Sequence, residues 1–155
     1  MHIPHDSPIR LTDENATIAF GSRLALALTP GMVIYLRGNL GAGKTTLVRA
    51  TLQALGYQGK VKSPTYTLLE QYEAGGLHLR HFDLYRFQDI NEWEGAGFSD
   101  EFDGINICLV EWPEQAAGLV PPADLEIFID ILPKGRSICL NANTPSGQAC
   151  VARLH

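Results

Sequence analysis

The 155-residue sequence lacks the features that place a chain in a membrane or outside the cell. It has no run of about 18 apolar residues, and its first residues lack the basic stretch and apolar core of a secretory leader. The three cysteines, Cys108, Cys139 and Cys150, are odd in number and form no C-x-x-C pair, so we expect buried, reduced thiols. These absences predict a cytoplasmic protein without a membrane segment.

Clusters of basic residues are also absent. Twelve Lys and Arg against seventeen Asp and Glu leave a formal net charge of −5, whereas tight binding to nucleic acid relies on concentrated positive charge. We therefore expect no direct high-affinity contact with nucleic acid. With 45% apolar residues, a chain of this length can bury a core without a metal or a disulfide, so residues 1–155 are predicted to form a single domain.

The pattern of apolar residues predicts both helices and strands. Residues 32–36 are continuously apolar between glycines, which is typical of a strand buried on both faces of a parallel or mixed sheet. Such a sheet requires covering helices, so the fold class is α/β. Residues 12–15 are predicted to begin a helix that ends at 29–31, a second helix ends near Gly56, and a helical turn lies at 89–93. The β-prone runs 65–72 and 77–85 are joined at 74–76, and further strands are predicted at 105–110, 125–132 and 137–142. Residues 1–11 and 144–155 fit no pattern.

The most specific motif is the phosphate-binding loop G-x-x-x-x-G-K-[ST], which residues 38–45 satisfy between a predicted strand and a predicted helix. Glycine lets successive backbone N–H groups approach anionic oxygens, and the helix N-terminus adds its positive dipole end. Lys44 would bridge the β- and γ-phosphates, and the Thr45 hydroxyl would bind Mg²⁺. Thr46 also fits a position on the helix surface. The candidate nucleotide contacts in the loop are Asn39, Leu40, Gly41, Ala42, Gly43, Lys44, Thr45 and Thr46.

No motif for guanine recognition accompanies the loop. The chain has no N-K-x-D or T-K-x-D segment and no D-x-x-G of the GTPase switch type. ATP is therefore the predicted nucleotide.

Hydrolysis also requires a carboxylate that organises the metal and a group that orients water. Glu111 ends the apolar run 107–110, and open α/β sheets bind their ligands at strand ends. Most such NTPases have Asp at this position. The longer Glu could reach Mg²⁺ or polarise the attacking water, and the sequence does not separate these two roles.

Asp83 is the second candidate carboxylate. The period of two in a strand places it on one face with His81 and Tyr85, and there it could assist Mg²⁺. The same period places His78 and His81 on opposite faces, so we do not interpret H-x-x-H as a metal pair. Arg86 could contact phosphate or be a surface charge. We therefore take Lys44, Glu111 and Asp83 as catalytic candidates, and Thr45, Glu111 and Asp83 as candidate metal ligands.

Residues 62–65, Lys-Ser-Pro-Thr, lie between the phosphate-loop helix and the hairpin. NTPases often carry a segment that responds to the γ-phosphate in this place. The hydroxyls of Ser63 and Thr65 flank a stiff proline, which fits a switch-like role, although a plain turn explains the pattern as well.

Four segments together resemble the TsaE (YjeE) family, bacterial ATPases required for making threonylcarbamoyladenosine in tRNA. They are GNLGAGKTT at 38–46, VKSPTYTL at 61–68, HFDLYR at 81–86 and LVEWPE at 109–114. The resemblance implies a P-loop NTPase-like three-layer α/β fold with a mixed, mainly parallel central sheet and a β-hairpin insertion. It also implies ATP and Mg²⁺ as ligands, with Thr45 and Glu111 at the metal.

The same resemblance implies that Thr12 and Arg136 lie near the nucleotide, although an N-cap and a surface charge explain them equally well. The implied partners are TsaB and TsaD, which carry out the modification. The chain would then be a Mg²⁺-dependent ATP-binding and hydrolysing accessory protein that acts through the TsaB–TsaD complex. An acidic ATPase need not hold tRNA if these partners do.

Two other functions remain compatible with a phosphate loop. A small-molecule or nucleoside kinase would transfer the γ-phosphate to a bound acceptor, although no Arg-rich lid is evident in so short a chain. A nucleotide-sensing binding module would bind ATP without appreciable turnover. The sequence gives no indication of the oligomeric state.

Overall fold

Eight strands and four α-helices make up the part of the chain that the structure, a computed structural model, describes: residues 3–4 and 8–154. The strands are β1 (Ile3–Pro4), β2 (Ile9–Leu11), β3 (Val33–Arg37), β4 (Leu69–Ala74), β5 (Leu77–Asp83), β6 (Ile107–Glu111), β7 (Leu125–Ile131) and β8 (Arg136–Ala142). The helices are α1 (Glu14–Ala27), α2 (Lys44–Ala54), α3 (Ile90–Gly95) and α4 (Pro145–Arg153), with 3-10 helices at Phe98–Glu101 and Pro113–Ala116.

The centre of the sheet is parallel and its edges are antiparallel. The strand order is β1-β8-β7-β3-β6-β5-β4, and β2 also pairs with β8. β3 runs parallel to β6 and β7, and β5 runs parallel to β6, whereas the other pairs are antiparallel. The C-terminal ends of the four parallel strands therefore meet at one edge, which is the ligand-binding edge of open α/β sheets.

Helical segments cover both faces of the sheet. On one face α1, α2 and α4 pack against inward-facing residues such as Ile34 and Leu109, and on the other face α3 and the 3-10 helices cover residues such as Val110. A Cβ on Gly21 would lie 2.6 Å from the Cβ of Ala50, so glycine lets α1 and α2 approach closely. This arrangement confirms the predicted three-layer fold, with β4 and β5 as the hairpin.

Three expectations about local structure need correction. The predicted strand at 65–72 begins only at Leu69, because Leu68 has a positive φ of 67° and donates to the carbonyl of Pro64 in a turn. The cap of α1 is Asp13, whose carboxylate accepts the Ala16 N–H at 2.9 Å, so Thr12 is not the N-cap. Within 1–11 and 144–155, which fit no sequence pattern, residues 9–11 form β2, paired with β8, and residues 145–153 form α4.

The cysteines agree with the expected reduced thiols. All three are free, with Cys108 and Cys150 buried and Cys139 half-buried. Burial raises the pKa of the Cys108 thiol to about 12 and raises that of Cys150. In the described part of the chain, no helix combines the length and the apolar character that crossing a bilayer requires.

Candidate functional site

The phosphate loop joins the end of β3 to the start of α2. Gly43 caps the helix in the left-handed region with φ 106°, and Gly41 has φ 81°. Glycine reaches these angles without strain. A Cβ on either residue would meet no atom within 4 Å, so the space beside the loop backbone is open. The first turn of a helix presents backbone N–H groups to anions, and this loop directs that turn into open space.

Lys44 is buried at the start of α2, with 5% of its surface exposed. Its Nζ donates to the carbonyl of Gly38 at 2.5 Å and lies 3.8 Å from the centre of the Trp112 ring. Burial lowers the pKa of Lys44, and the carboxylates of Glu111 and Asp83 oppose that shift. The amine is therefore held between the Gly38 carbonyl and the Trp112 ring, within electrostatic reach of both carboxylates.

The parallel register of β5 and β6 places Asp83 directly beside Glu111. Both side chains are buried, and both face α2. Burial raises the pKa of Asp83, and the neighbouring charge of Glu111 raises it further, although the N–H of Tyr85 stabilises the carboxylate from 3.1 Å. Two adjacent buried carboxylates repel each other, so the site favours a cation.

Glu111 connects the loop to the strands. Its Oε2 accepts the hydroxyl of Thr45 at 3.1 Å and lies 2.6 Å from Nε2 of His81. Period-two reasoning correctly placed His81 on the same face as Asp83 but gave it no role. His78 is exposed and pairs with Glu73, whereas His81 is fully buried, so the two rings lie on opposite faces of the strand, as predicted.

Two adjoining cavities flank the loop and share Gly41, Ala42, Gly43 and Thr46. The first, of about 390 Å³, is also lined by residues before and within α1 and by the start of β8; we call it the α1 cavity. The second, of about 290 Å³, is also lined by Lys44, Thr45, Ser63, Thr65, Asp83, Glu111 and Trp112, with Leu40 at its edge; we call it the carboxylate cavity.

Thr12 and Arg136 both line the α1 cavity. The Arg136 guanidinium donates to the carbonyls of Ala42 at 3.1 Å and Gly41 at 3.2 Å. It therefore supports the loop from the side of β8 and is not a free surface charge.

Several other candidates have definite positions. Ser63 and Thr65 share a hydroxyl contact of 2.7 Å at the carboxylate cavity. Asn39 is exposed and lines neither cavity, but its carbonyl accepts the Ala42 N–H. Arg86 is exposed, its guanidinium lies 5.1 Å from the ring centre of Tyr66, and it lines neither cavity.

Trp112 is a site residue that sequence reasoning noted only as a neighbour of Glu111. It adopts a positive φ of 56°, which is uncommon for a bulky residue. Its ring covers Lys44 and lies 5.0 Å from that of Tyr85. The only signal in the sequence is its position directly after a buried strand that ends in a carboxylate.

The donor set fits magnesium and not a cage made only of protein side chains. Among residues 3–4 and 8–154, no group of three or more His, Cys, Asp or Glu side chains could hold a metal ion. Mg²⁺ usually binds through one or two carboxylates together with waters and substrate phosphates. The hydroxyl of Thr45 and the carboxylates of Glu111 and Asp83 are such a partial set.

Comparison with known proteins identifies the family. The family model "Threonylcarbamoyl adenosine biosynthesis protein TsaE" matches residues 11–138. The tRNA threonylcarbamoyladenosine biosynthesis protein TsaE of Haemophilus influenzae is 44% identical over 147 residues, which cover 92% of this chain and 93% of that protein. The protein of the same name from Bacillus subtilis is 38% identical over 120 residues, which cover 77% and 75% of the two chains.

A solved structure is similar as well. The crystal structure of Bacillus subtilis YdiB matches with a TM-score of 0.80 and 29% identity, covering 99% of this chain and 95% of that one. The structural similarity therefore includes the elements whose residues line both cavities. With the family model and the relatives agreeing over most of its length, the chain belongs to the TsaE family.

Proposed function

We propose that this chain is a Mg²⁺-dependent ATPase and an accessory protein for forming threonylcarbamoyladenosine in tRNA. One observation carries the proposal: the carboxylate cavity brings the phosphate loop, with Lys44, against Asp83 and Glu111. A phosphate loop alone accounts for binding, whereas the facing carboxylates add the groups that hydrolysis requires.

In this proposal, the two cavities bind different parts of the nucleotide. The loop backbone and Lys44 bind the phosphates, and the amine, already near the Gly38 carbonyl, needs little movement to reach them. The α1 cavity, with Thr12 and Arg136, takes the nucleoside end. The absence of guanine motifs supports ATP over GTP.

Thr45, Glu111 and Asp83 are the residues that would hold Mg²⁺. When bound, the ion neutralises charge on the phosphate oxygens. Glu111 is already oriented through Oε2 by Thr45 and His81, and its carboxylate serves either as a metal ligand or as the group that orients the attacking water. Trp112, packed over Lys44, helps to exclude bulk water.

The proposed role in tRNA modification is supported by the names of the relatives, which are threonylcarbamoyladenosine biosynthesis proteins. A net charge of −5 favours partners that hold the tRNA, and we propose TsaB and TsaD in the cytoplasm. For hydrolysis to act on that assembly, the ATP and ADP forms of this chain must bind it with different free energies.

Phosphate release from ATP, measured for the purified chain with and without TsaB–TsaD, tests the proposal. We expect Mg²⁺-dependent release that Lys44→Ala reduces at limiting ATP and that the surface change Lys60→Ala leaves intact. ATP binding without release under either condition would instead indicate a nucleotide-sensing module. A phosphorylated metabolite in place of free phosphate would indicate a kinase.

A further inference from the structure

His81 is fully buried in β5, on the sheet face that α1 and α2 cover. Its neighbour across the parallel pair is Leu109, two residues before Glu111 in β6. The ring therefore reaches along β6 towards the end of that strand. Its Nε2 lies 2.6 Å from Oε2 of Glu111, a short contact between two buried groups.

The contact fixes which atom of the imidazole donates. A carboxylate accepts hydrogen bonds, so the proton is on Nε2. Within the described residues, Nδ1 is buried and has no hydrogen-bond partner. An Nδ1 without a proton leaves no donor unsatisfied, so the hydrogen bond from Nε2 to Glu111 is the one that the geometry of the ring provides.

Stability alone does not explain a histidine at this position. The residues beside it on the same face, Leu79, Ile107 and Leu109, are apolar and fully buried. An apolar side chain here would avoid the penalty of burying an unpartnered nitrogen. What histidine adds is a donor that restrains Oε2 of Glu111, the oxygen that Thr45 also contacts.

We propose that His81 is a positioning residue, which orients the Glu111 carboxylate towards the metal and nucleotide in the carboxylate cavity. This inference rests on the proposed function, because it assigns His81 a part in that same site. His81 acts through Glu111, since it lines neither cavity. Partners that orient a metal-binding carboxylate typically change metal affinity or activity by about 10- to 100-fold.

The test measures metal affinity in addition to turnover. Wild type, His81→Leu, His81→Gln and His81→Asn are each bound to a non-hydrolysable ATP analogue and titrated with Mn²⁺, with free Mn²⁺ followed by electron paramagnetic resonance. Analogue affinity without metal is measured in parallel. His78→Leu, on the same strand but exposed, is the matched control.

We expect His81→Leu to weaken Mn²⁺ binding by about 10- to 100-fold while analogue affinity without metal stays at the wild-type value. His81→Gln should retain most of the affinity, because its amide nitrogen can take the place of Nε2. His81→Asn should not, because its amide is too short. His78→Leu should match wild type.

Unchanged Mn²⁺ affinity in folded His81→Leu would overturn the inference. If that variant does not fold, equal Mn²⁺ affinities in His81→Gln and His81→Asn would overturn it as well, since a role confined to packing predicts no advantage for the longer amide. Wild type that binds no analogue would overturn the proposed function itself, so the two failures are distinguishable.

Discussion

The two sides of the carboxylate cavity are built in different ways. The loop side, residues 38–46, is one continuous segment whose candidate ligand-binding groups are backbone N–H groups and a single amine. The carboxylate side brings Asp83 and Glu111 together from two strands through their parallel register, with His81 behind Glu111 and Trp112 directly after it. The first side is encoded locally, and the second exists only once the sheet has formed.

This difference suggests that the two sides have separable tasks. The loop side presents backbone N–H groups and an amine, which are groups suited to binding phosphate. The carboxylate side consists of buried, mutually repelling charges that are poor ligands for phosphate but suitable for a cation and a water. Changes on the loop side should therefore reduce binding, and changes on the carboxylate side should reduce turnover.

Glu111→Gln should have the largest effect. It keeps the shape and an oxygen that can accept from Thr45, but it removes the charge that the metal or the attacking water needs. We expect partner-stimulated phosphate release to fall by about 100-fold or more, with ATP analogue affinity close to wild type in calorimetric titration. The exposed Glu94→Gln is the control. A parallel loss of analogue affinity would contradict the division into two sides.

Lys44→Ala should affect binding first. Hydrogen bonds to charged groups contribute about 1.5–3 kcal/mol, which corresponds to about 10- to 150-fold in affinity. We expect a loss of that size in the dissociation constant for ATP. The exposed Lys60→Ala is the matched control. Unchanged ATP affinity in folded Lys44→Ala would remove the loop side from the binding site.

Asp83→Asn should have opposite effects on activity and stability. The amide oxygen can still accept the Tyr85 N–H, but the charge beside Glu111 is lost. We expect turnover to fall by about tenfold. We expect the melting temperature of the nucleotide-free chain to rise by about 2–4 °C, the shift that about 1 kcal/mol produces in a domain of this size.

The sign of this stability effect follows from the pKa of Asp83, which burial raises above the ordinary value of 3.8 in the folded chain. The stabilisation that protonation provides is complete below pH 3.8 and is lost as the pH rises through the raised value. The ionised side chain therefore destabilises the free protein at neutral pH. The advantage of Asp83→Asn should shrink in acid, and an advantage independent of pH would contradict this cause.

The difference between the two sides also explains which parts of the fold and of the site could be predicted from the sequence. The loop and its roles follow from contiguous residues, and the buried strands from continuous apolar runs. Glu111 could be named because it ends such a run, and Asp83 because the period of two in a strand places it on one face with His81 and Tyr85. The structure places both at the carboxylate cavity. The strand at 65–72 was wrong in its first half because the left-handed turn at Leu68 has no signal in a β-prone run.

Contacts that depend on register were not predictable. The link from His81 to Glu111 requires β5 and β6 to be parallel and aligned so that Asp83 faces Glu111. Trp112 packs over Lys44 with a positive φ of 56°, a backbone angle that the residue preferences of the sequence do not predict. Likewise α4 is a short helix whose cap, Thr144, is held by Asp124 on a neighbouring strand connection, a tertiary contact invisible in the local sequence.

Arg136→Ala should have the smallest effect and sharpens the boundary of the loop side. Its guanidinium donates to the carbonyls of Gly41 and Ala42 from outside the phosphate cradle, so its loss should loosen the loop without removing a phosphate ligand. Hydrogen bonds of about 0.5–1.5 kcal/mol correspond to about 2- to 10-fold in affinity. We expect ATP affinity to fall within that range, while turnover at saturating ATP stays near wild type. The exposed Arg10→Ala, on the strand paired with β8, should change neither. A loss as large as that of Lys44→Ala would mean that Arg136 contributes more through the nucleoside end in the α1 cavity than through its support of the loop.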